Sequence, residues 1–292
     1  MNAAKSLRKL LSEKSIIMAA GCHDALGAYF IQRAGFQAAY MTGYGVACSL
    51  LGRPDLGELT MTEMATHASR IASAIQIPLI CDADTGYGGP LNVQRTVREF
   101  QRAGVAAIHI EDQIEPKRCA AMEGVRVTDM KTAVTRIRAA VAAKTDPDFI
   151  IIARTDCRPI LGLDHAIERA HAFADAGADV VYVEMLGSRQ EVERVAQAIT
   201  EAPLLFDMFD HPKVPVLKAS ELEQMGYKIM TFPFTSTLAY AKILDEIYPS
   251  ILREKGAAHL TPQRMGLEAF EEAMNVGGLW KEVANLQGDG GS

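Results

Sequence analysis

Residues 101–112 read QRAGVAAIHIED, and this stretch decides the fold. A helical pattern closes on Ala103, and Gly104 supplies the left-handed residue that lets the chain turn back. A short apolar run follows and ends on two acids, Glu111 and Asp112. Such a run reads as a strand buried on both faces. The same order returns at 32–43 (QRAGFQAAYMTG), 174–184 (ADAGADVVYVE) and 223–234 (EQMGYKIMTFPF), with Gly35, Gly177 and Gly226 at the junctions.

Working outward from these four junctions, eight strands are predicted at 16–20, 38–42, 78–82, 106–111, 149–155, 179–184, 203–207 and 228–232. Helical patterns occupy 24–34, 62–75, 93–103, 129–143, 163–176, 189–200, 220–225 and 238–254. Strict β-α alternation favours a parallel sheet, and eight units in one chain favour its closure into a (β/α)8 barrel of the TIM type. A further helical pattern at 261–272 exceeds what a bare barrel needs and is placed to pack on a neighbouring subunit. No linker composition interrupts the series, so 1–292 reads as one barrel domain with an N-terminal helix and a helical tail that frays at the GDGGS end.

The composition excludes several classes of function. The 292 residues are 49% apolar and 23% charged, the balance of a globular chain. Thirty basic against 36 acidic residues give a net charge of −6, which argues against a nucleic-acid partner. Five scattered cysteines without CxxC pairs exclude a disulfide framework or a zinc site and fit a reducing cytoplasm. No apolar run reaches membrane-spanning length, and the N-terminus lacks a signal core.

In such barrels the reacting groups sit at the C-terminal ends of strands. Those ends are unusually polar here: CDADTGYGG, HIEDQIEPKRC, ARTD, YVEM and FDMFDH place Asp82, Asp84, His109, Glu111, Asp112, Arg154, Asp156, Glu184, Asp207 and Asp210 on one rim. That density of carboxylates calls for a hard divalent cation, and Mg²⁺ takes one or two carboxylates together with water and substrate oxygens. Asp82 and Asp84, two residues apart, are expected to point to one side of their strand. In the loop after strand four, Lys117 and Arg118 flank Cys119 closely enough to stabilise a thiolate, which makes this cysteine a candidate acid, base or nucleophile. Cys22, Cys48, Cys81 and Cys157 read as small core residues. Gly124 marks the Cys119 loop as a mobile lid. After strand two, YMTGYGVA brings Thr42, Gly43 and Gly45 together either as a nest of backbone N–H groups for a carboxylate or as a plain turn. Of seven histidines, His109 and His211 fall at strand ends, whereas His67, His165 and His171 read as surface residues of helices.

Taken together, YMTGYGVACSLLGRPDLG, PLICDADTGYGG, AAIHIEDQIEPKRC and FIIIARTD resemble the isocitrate lyase/phosphoenolpyruvate mutase superfamily, in particular its 2-methylisocitrate and 2,3-dimethylmalate lyases. The likeness runs from about residue 10 to residue 255. It implies a homotetramer with the last barrel helix swapped between paired subunits, a Mg²⁺ cofactor replaceable by Mn²⁺, and a small 2-hydroxy or 2-oxo acid substrate. By position it implies Asp82 and Asp84 at the metal, Asp84 the nearer, with Glu111 in the outer shell. Thr42, Gly43 and Tyr44 fall where a pyruvate carboxylate is held, and Tyr40 where a base stands. Asp55 falls in the matching PDLG segment. Arg154 matches the arginine that binds substrate carboxylate, Glu184 another site position, and Cys119 the acid/base cysteine.

Two departures bear on the substrate. The lyase signature Lys-(Lys/Arg)-Cys-Gly-His is here Lys117-Arg118-Cys119-Ala120-Ala121, so a histidine donor is missing and Ala120 resists positive φ. Asp207 replaces an Asn and repels a substrate carboxylate. The expected activity is a carbon–carbon lyase that splits a C3-substituted 2-hydroxy acid into pyruvate, or a related 2-oxo acid, and a carboxylic acid. The alternatives are oxaloacetate hydrolysis or decarboxylation, a phosphonomutase, and a non-catalytic acid-binding barrel.

Overall fold

The computed structural model describes residues 2–209 and 211–287. Asp210 and the GDGGS end therefore lie outside the described residues. The chain forms two compact units, 1–238 and 239–292.

In the first unit eight strands run β1 (Ile17–Cys22), β2 (Ala38–Met41), β3 (Leu79–Asp82), β4 (Ala107–Glu111), β5 (Ile150–Thr155), β6 (Val180–Val183), β7 (Leu204–Asp207) and β8 (Tyr227–Phe232). Each pairs in parallel with the next, and β8 returns to β1 to close the barrel. All eight expected strands are present, within two residues at either end. The junction glycines take the left-handed conformation expected of them, with φ of 91° at Gly35, 82° at Gly104, 93° at Gly177 and 103° at Gly226.

Alternation along the strands divides the core in two. Ile80, Ile150, Ile152, Val180 and Ile229 fill the barrel interior, together with Tyr40 and Tyr182. Leu79, Cys81, Ile151, Ala153, Val181 and Phe206 face the surrounding helices. Both faces are apolar, which is why the strands read as unbroken apolar runs. The ring comprises α1 (Ala3–Ser12), α2 (Ala25–Arg33), α3 (Gly43–Leu51), α4 (Met61–Ser73), α5 (Pro90–Arg102), α6 (Met130–Ala142), α7 (Arg158–Leu161), α8 (Leu163–Asp175), α9 (Arg189–Ala198) and α10 (Ala219–Met225). Leu7 of α1 is fully buried against the interior cluster, with Ala3, Leu10 and Leu11 beside it.

Several helical segments differ from expectation. The segment after β2 is helix α3: Thr42 caps it by accepting from Gly45 N at 3.4 Å. Its glycines answer to close packing, as shown below. The segment expected as a single helix at 261–272 is broken. A 3₁₀ turn covers Ala258–Gln263, Gly266 interrupts, and α12 (Leu267–Ala273) follows the 20-residue α11 (Thr235–Glu254). Pro262 removes an N–H donor there. A last helix, α13 (Val276–Gln287), went unread because Gly277 and Gly278 weaken its pattern. Among the described residues no helix is long and apolar enough to cross a membrane.

Candidate active site

Register sets the site. Asp82 of β3 lies level with His109 of β4, and Glu111 of β4 with Arg154 of β5. The cavity at these strand ends is lined by Tyr40, Thr42, Tyr44, Asp55, Asp82, Glu111, Lys117, Arg118, Cys119, Arg154, Glu184 and Asp207, with Phe209, Pro233 and Phe234 as an apolar wall. Residues at the ends of seven strands, β2 to β8, thus meet the Cys119 loop. About 30 Å³ is left between them, roughly the share of one water molecule in the liquid.

Gly43 lies directly against the cavity residue Asp82. A Cβ there would lie 2.5 Å from Asp82 Oδ2, so only glycine lets the first turn of α3 approach that carboxylate. Gly45 is similarly confined by Thr237 Oγ1 at 2.7 Å. Gly43 and Tyr44 open the helix, where backbone N–H groups have no intrahelical acceptor and favour an anion. The nest-or-turn alternative thus resolves into a helix N-terminus.

Asp82 ends β3, with Oδ1 accepting from Asp84 N at 2.9 Å. Burial pushes its carboxyl up, but His109, Lys117 and Arg154 bring it down to about 2. The expectation that Asp84 points to the same side by strand alternation fails, because the strand has ended and Asp84 turns at φ 48°. Asp84 instead lines an adjoining cleft and is ion-paired with Lys117, which lines both spaces. Burial, with Asp82 and Asp55 nearby, pushes the Asp84 carboxyl up to about 7. Glu111 is raised as well, chiefly by burial. Glu111 Oε1 is buried without a hydrogen-bond partner, whereas Asp84 Oδ1 meets Lys117 Nζ. Among the described residues no three His, Cys, Asp or Glu side chains already form a metal shell. Three buried carboxylates close together, one of them with an oxygen that no donor reaches, fit a hard cation that draws most of its ligands from water and substrate.

The two cations expected to activate Cys119 are engaged elsewhere. Lys117 Nζ is 2.6 Å from Asp55 Oδ2 and also pairs with Asp84, while Arg118 Nη1 donates to Glu123 O at 2.9 Å. Burial then pushes the Cys119 thiol up to about 12. The residue is a neutral acid in this state, which removes the thiolate reading. Ala120 is not among the described residues with positive φ, so it follows the backbone without strain.

Tyr40 is buried and its hydroxyl lies 2.7 Å from His109 Nε2. Burial and the charges of Asp82 and Asp207 push this phenol well above its usual range, so a free phenolate base is disfavoured. His109 is fully buried and is lowered by that burial to about 4, which keeps the imidazole neutral. Arg154 Nε donates to Asp156 Oδ1 at 2.9 Å, and Nη2 lies 3.5 Å from Glu111 and 3.7 Å from Glu184. The Tyr182 hydroxyl sits between Glu184 and Asp207, 3.1 Å from the latter. Burial pushes Glu184 up to about 8; Asp207 and Asp156 add to this, and Arg154 opposes it.

Not every rim residue faces the cavity. Asp112 turns outward to Arg169 of α8, at 2.9 Å. His67 is buried rather than on the surface, its Nε2 2.7 Å from His23 O, and Cys48 is only half-buried. Phe209 and Phe234, which form a wall with the expected Tyr44 at ring-centroid distances of 4.9 and 4.6 Å, were missed from the sequence. The TFPF that ends β8 was its available signal. Gln113 and the pairing of Tyr40 with His109 were missed as well.

Residues 7–251 match the phosphoenolpyruvate phosphomutase family. The 2,3-dimethylmalate lyase of Eubacterium barkeri is 41% identical over 94% of this chain and 95% of its own. The 2-methylisocitrate lyase of Aeropyrum pernix is 40% identical over 86% and 80%. Among solved structures, a crystal structure of 2,3-dimethylmalate lyase aligns with TM-score 0.91 and 38% identity, covering 98% of this chain and 96% of that one. Oxaloacetate acetylhydrolase in complex with 3,3-difluorooxalacetate aligns with TM-score 0.90 and 37% identity over 100% and 98%. Phosphonopyruvate hydrolase in complex with oxalate and Mg²⁺ aligns with TM-score 0.88 and 25% identity over 98% and 99%. With its barrel, its rim of carboxylates and a match across most of its length, the chain belongs to the phosphoenolpyruvate phosphomutase family.

Proposed function

We propose that the protein is a carbon–carbon lyase that splits a 2-hydroxy acid with an alkylated C3, of the 2,3-dimethylmalate type, into pyruvate and a carboxylic acid. The observation that carries this reading is a neutral Cys119 thiol closing a cavity with Arg154 and Asp82 on its polar side and Tyr44, Phe209 and Phe234 on its apolar side. Alkyl groups suit that wall. A third carboxylate, as in 2-methylisocitrate, would meet Asp207 without the histidine that Ala121 replaces.

Asp82, Asp84 and Glu111 would hold the divalent cation, Mg²⁺ or Mn²⁺, which when bound supplies Lewis acidity toward the hydroxyl and carboxylate oxygens of the substrate. The N–H groups of Gly43 and Tyr44 and the Thr42 hydroxyl orient the pyruvate carboxylate. Tyr40 takes the C2 hydroxyl proton as its own proton passes to neutral His109, a relay that avoids a free phenolate. The C2–C3 bond breaks, its electron pair passes into the leaving carboxylate fragment, and Arg154 offsets the charge that develops there. Glu184 stands beside Arg154 as a neutral acid. Cys119 delivers a proton to C3, and the proton held by His109 returns to the thiolate through solvent.

Burial of this site within one catalytic domain, a cytoplasmic location and a homotetramer with a swapped last helix belong to the same reading. The tetramer is supported by the exposed Tyr248, Leu252, Leu267, Trp280 and Leu286 of the 239–292 unit. The test is a coupled pyruvate-release assay with 2,3-dimethylmalate, 2-methylisocitrate, oxaloacetate and phosphonopyruvate, with Mg²⁺ and with a chelator. Metal-dependent pyruvate from 2,3-dimethylmalate is expected. Oxalate and acetate from oxaloacetate alone, turnover of phosphonopyruvate alone, or no turnover at all would overturn it.

A further inference from the structure

We propose that Gln113 is the positioning residue that latches the Cys119 loop over the cavity and sets Arg154 through the same hydrogen-bonded chain. The inference rests on the reading above, in which Cys119 and Arg154 act on the substrate.

Gln113 stands where the loop leaves β4, bridged to Val127 where the loop returns, so the intervening segment is pinched at its base. Its side chain is 1% exposed. Nε2 donates to Asp156 Oδ2 at 2.8 Å and to Arg118 O at 2.8 Å, and Oε1 accepts from Arg118 N at 3.1 Å. Both amide protons and the carbonyl are engaged, and these partners settle which end is which: a carboxylate needs the NH₂ and a peptide N–H needs the oxygen. The second Asp156 oxygen accepts from Arg154 Nε at 2.9 Å. Asp156 N in turn donates to Asp112 Oδ1 at 2.9 Å, and Asp112 is paired with Arg169.

A continuous path therefore runs from the α8 scaffold through Asp112, Asp156 and Gln113 to the backbone N–H and C=O of Arg118, one residue before the thiol. A branch at Asp156 reaches the guanidinium of Arg154. The loop is also tied by Lys117 Nζ and Cys119 N to Asp55, by Lys117 to Asp84 and by Glu115 to the Thr85 hydroxyl. Lifting the loop breaks two of the three Gln113 bonds and leaves Asp156 free to shift. Closing it restores them and fixes the thiol and the guanidinium together. Glutamate cannot replace this residue, because it would set a second anion against Asp156 and offer nothing to Arg118 O. Methionine keeps the length and loses every polar contact.

The test labels Cys119 with N-ethylmaleimide, read on the peptide that carries it, in wild type, Gln113→Met and Gln113→Glu, alongside trypsin cleavage after Arg118. Gln101→Met is the control. Gln101 Oε1 accepts from Thr145 N, Thr145 Oγ1 and Asp146 N at the opposite end of the barrel and its Nε2 donates to Val97 O, so this variant loses four bonds, one more than Gln113→Met, away from the loop. Both Gln113 variants are expected to raise labelling and cleavage about tenfold or more, as the half-buried thiol becomes fully solvated. They are also expected to lower kcat for pyruvate release about a hundredfold with little change in KM. Gln101→Met should lower the melting temperature without changing the labelling. Labelling of both Gln113 variants at the wild-type rate, or an equal rise in Gln101→Met, overturns the latch. If Gln113→Met does not fold, labelling of Gln113→Glu decides. If wild type releases no pyruvate, the lyase reading fails while the labelling still decides the latch.

Discussion

Substituting Gly43 by alanine separates the chemistry of the site from the stability of the fold. Alanine at the start of α3 is at least as favourable to the helix as glycine, by up to about 1 kcal/mol. The new Cβ, however, lies 2.5 Å from Asp82 Oδ2 and 3.0 Å from its Cγ. A relaxed contact needs about 3.5 Å, so roughly 1 Å of displacement must be found. Asp82 cannot swing aside cheaply, because it is buried and Oδ1 accepts from Asp84 N at 2.9 Å. Relieving such overpacking costs about 1–3 kcal/mol. Set against the helix gain, the net loss is about 0–3 kcal/mol, a fall in melting temperature of at most roughly 10 °C for a chain of this size. A misplacement of about 1 Å at reacting groups costs about a hundredfold in rate. The expected result of differential scanning calorimetry with the pyruvate-release assay is therefore a folded variant with kcat/KM down about a hundredfold. Wild-type kcat/KM in Gly43→Ala would refute the argument that the approach of α3 to Asp82 matters to the chemistry.

Cys119→Ser should stop turnover while calorimetry still detects oxalate binding; retained turnover would show that the thiol delivers no proton. Arg154→Lys should lower kcat/KM by about a hundredfold or more, because a single ammonium cannot serve Asp156, Glu111 and Glu184 together. Glu184 is pushed to about 8 from its usual 4.5, so between these values the folded chain holds a proton that the unfolded chain releases, and stability falls as pH rises through that window. Urea midpoints at pH 5, 6.5 and 8 should show this slope in wild type and a shallower one in Glu184→Gln; parallel slopes would remove the shift. Tyr40→Phe should lower kcat more than it raises KM, and an unchanged kcat would exclude the relay through His109.

The barrel could be read at the level of single residues because its signals are local. A glycine must follow a helix that reverses into a strand, and four such junctions with apolar runs behind them leave few topologies. Likewise, acids at strand ends stand out against buried strands, so Asp82, Glu111, Arg154, Glu184 and Asp207 were legible as cavity residues before any coordinates. Chain neighbourhood misled where side chains travel. Lys117 and Arg118 flank Cys119 in sequence, yet Lys117 goes to Asp55 and Asp84, and the thiol is left to burial. Asp84 follows the end of β3, where the two-residue repeat no longer governs direction.

What the amino-acid order determined by itself, then, was the count of β-α units, the ends of the strands that carry chemistry, and the family to which those motifs belong. Tertiary structure decided the protonation of the site and the company each group keeps: Tyr40 against His109 69 residues away, Gln113 against Asp156 43 residues away, and aromatic rings from three segments on one wall. The physical reason is that helix and strand formation follow from neighbours along the chain. The pKa of a buried group and the partner of a buried amide depend on the charges and dipoles that folding brings within a few ångströms.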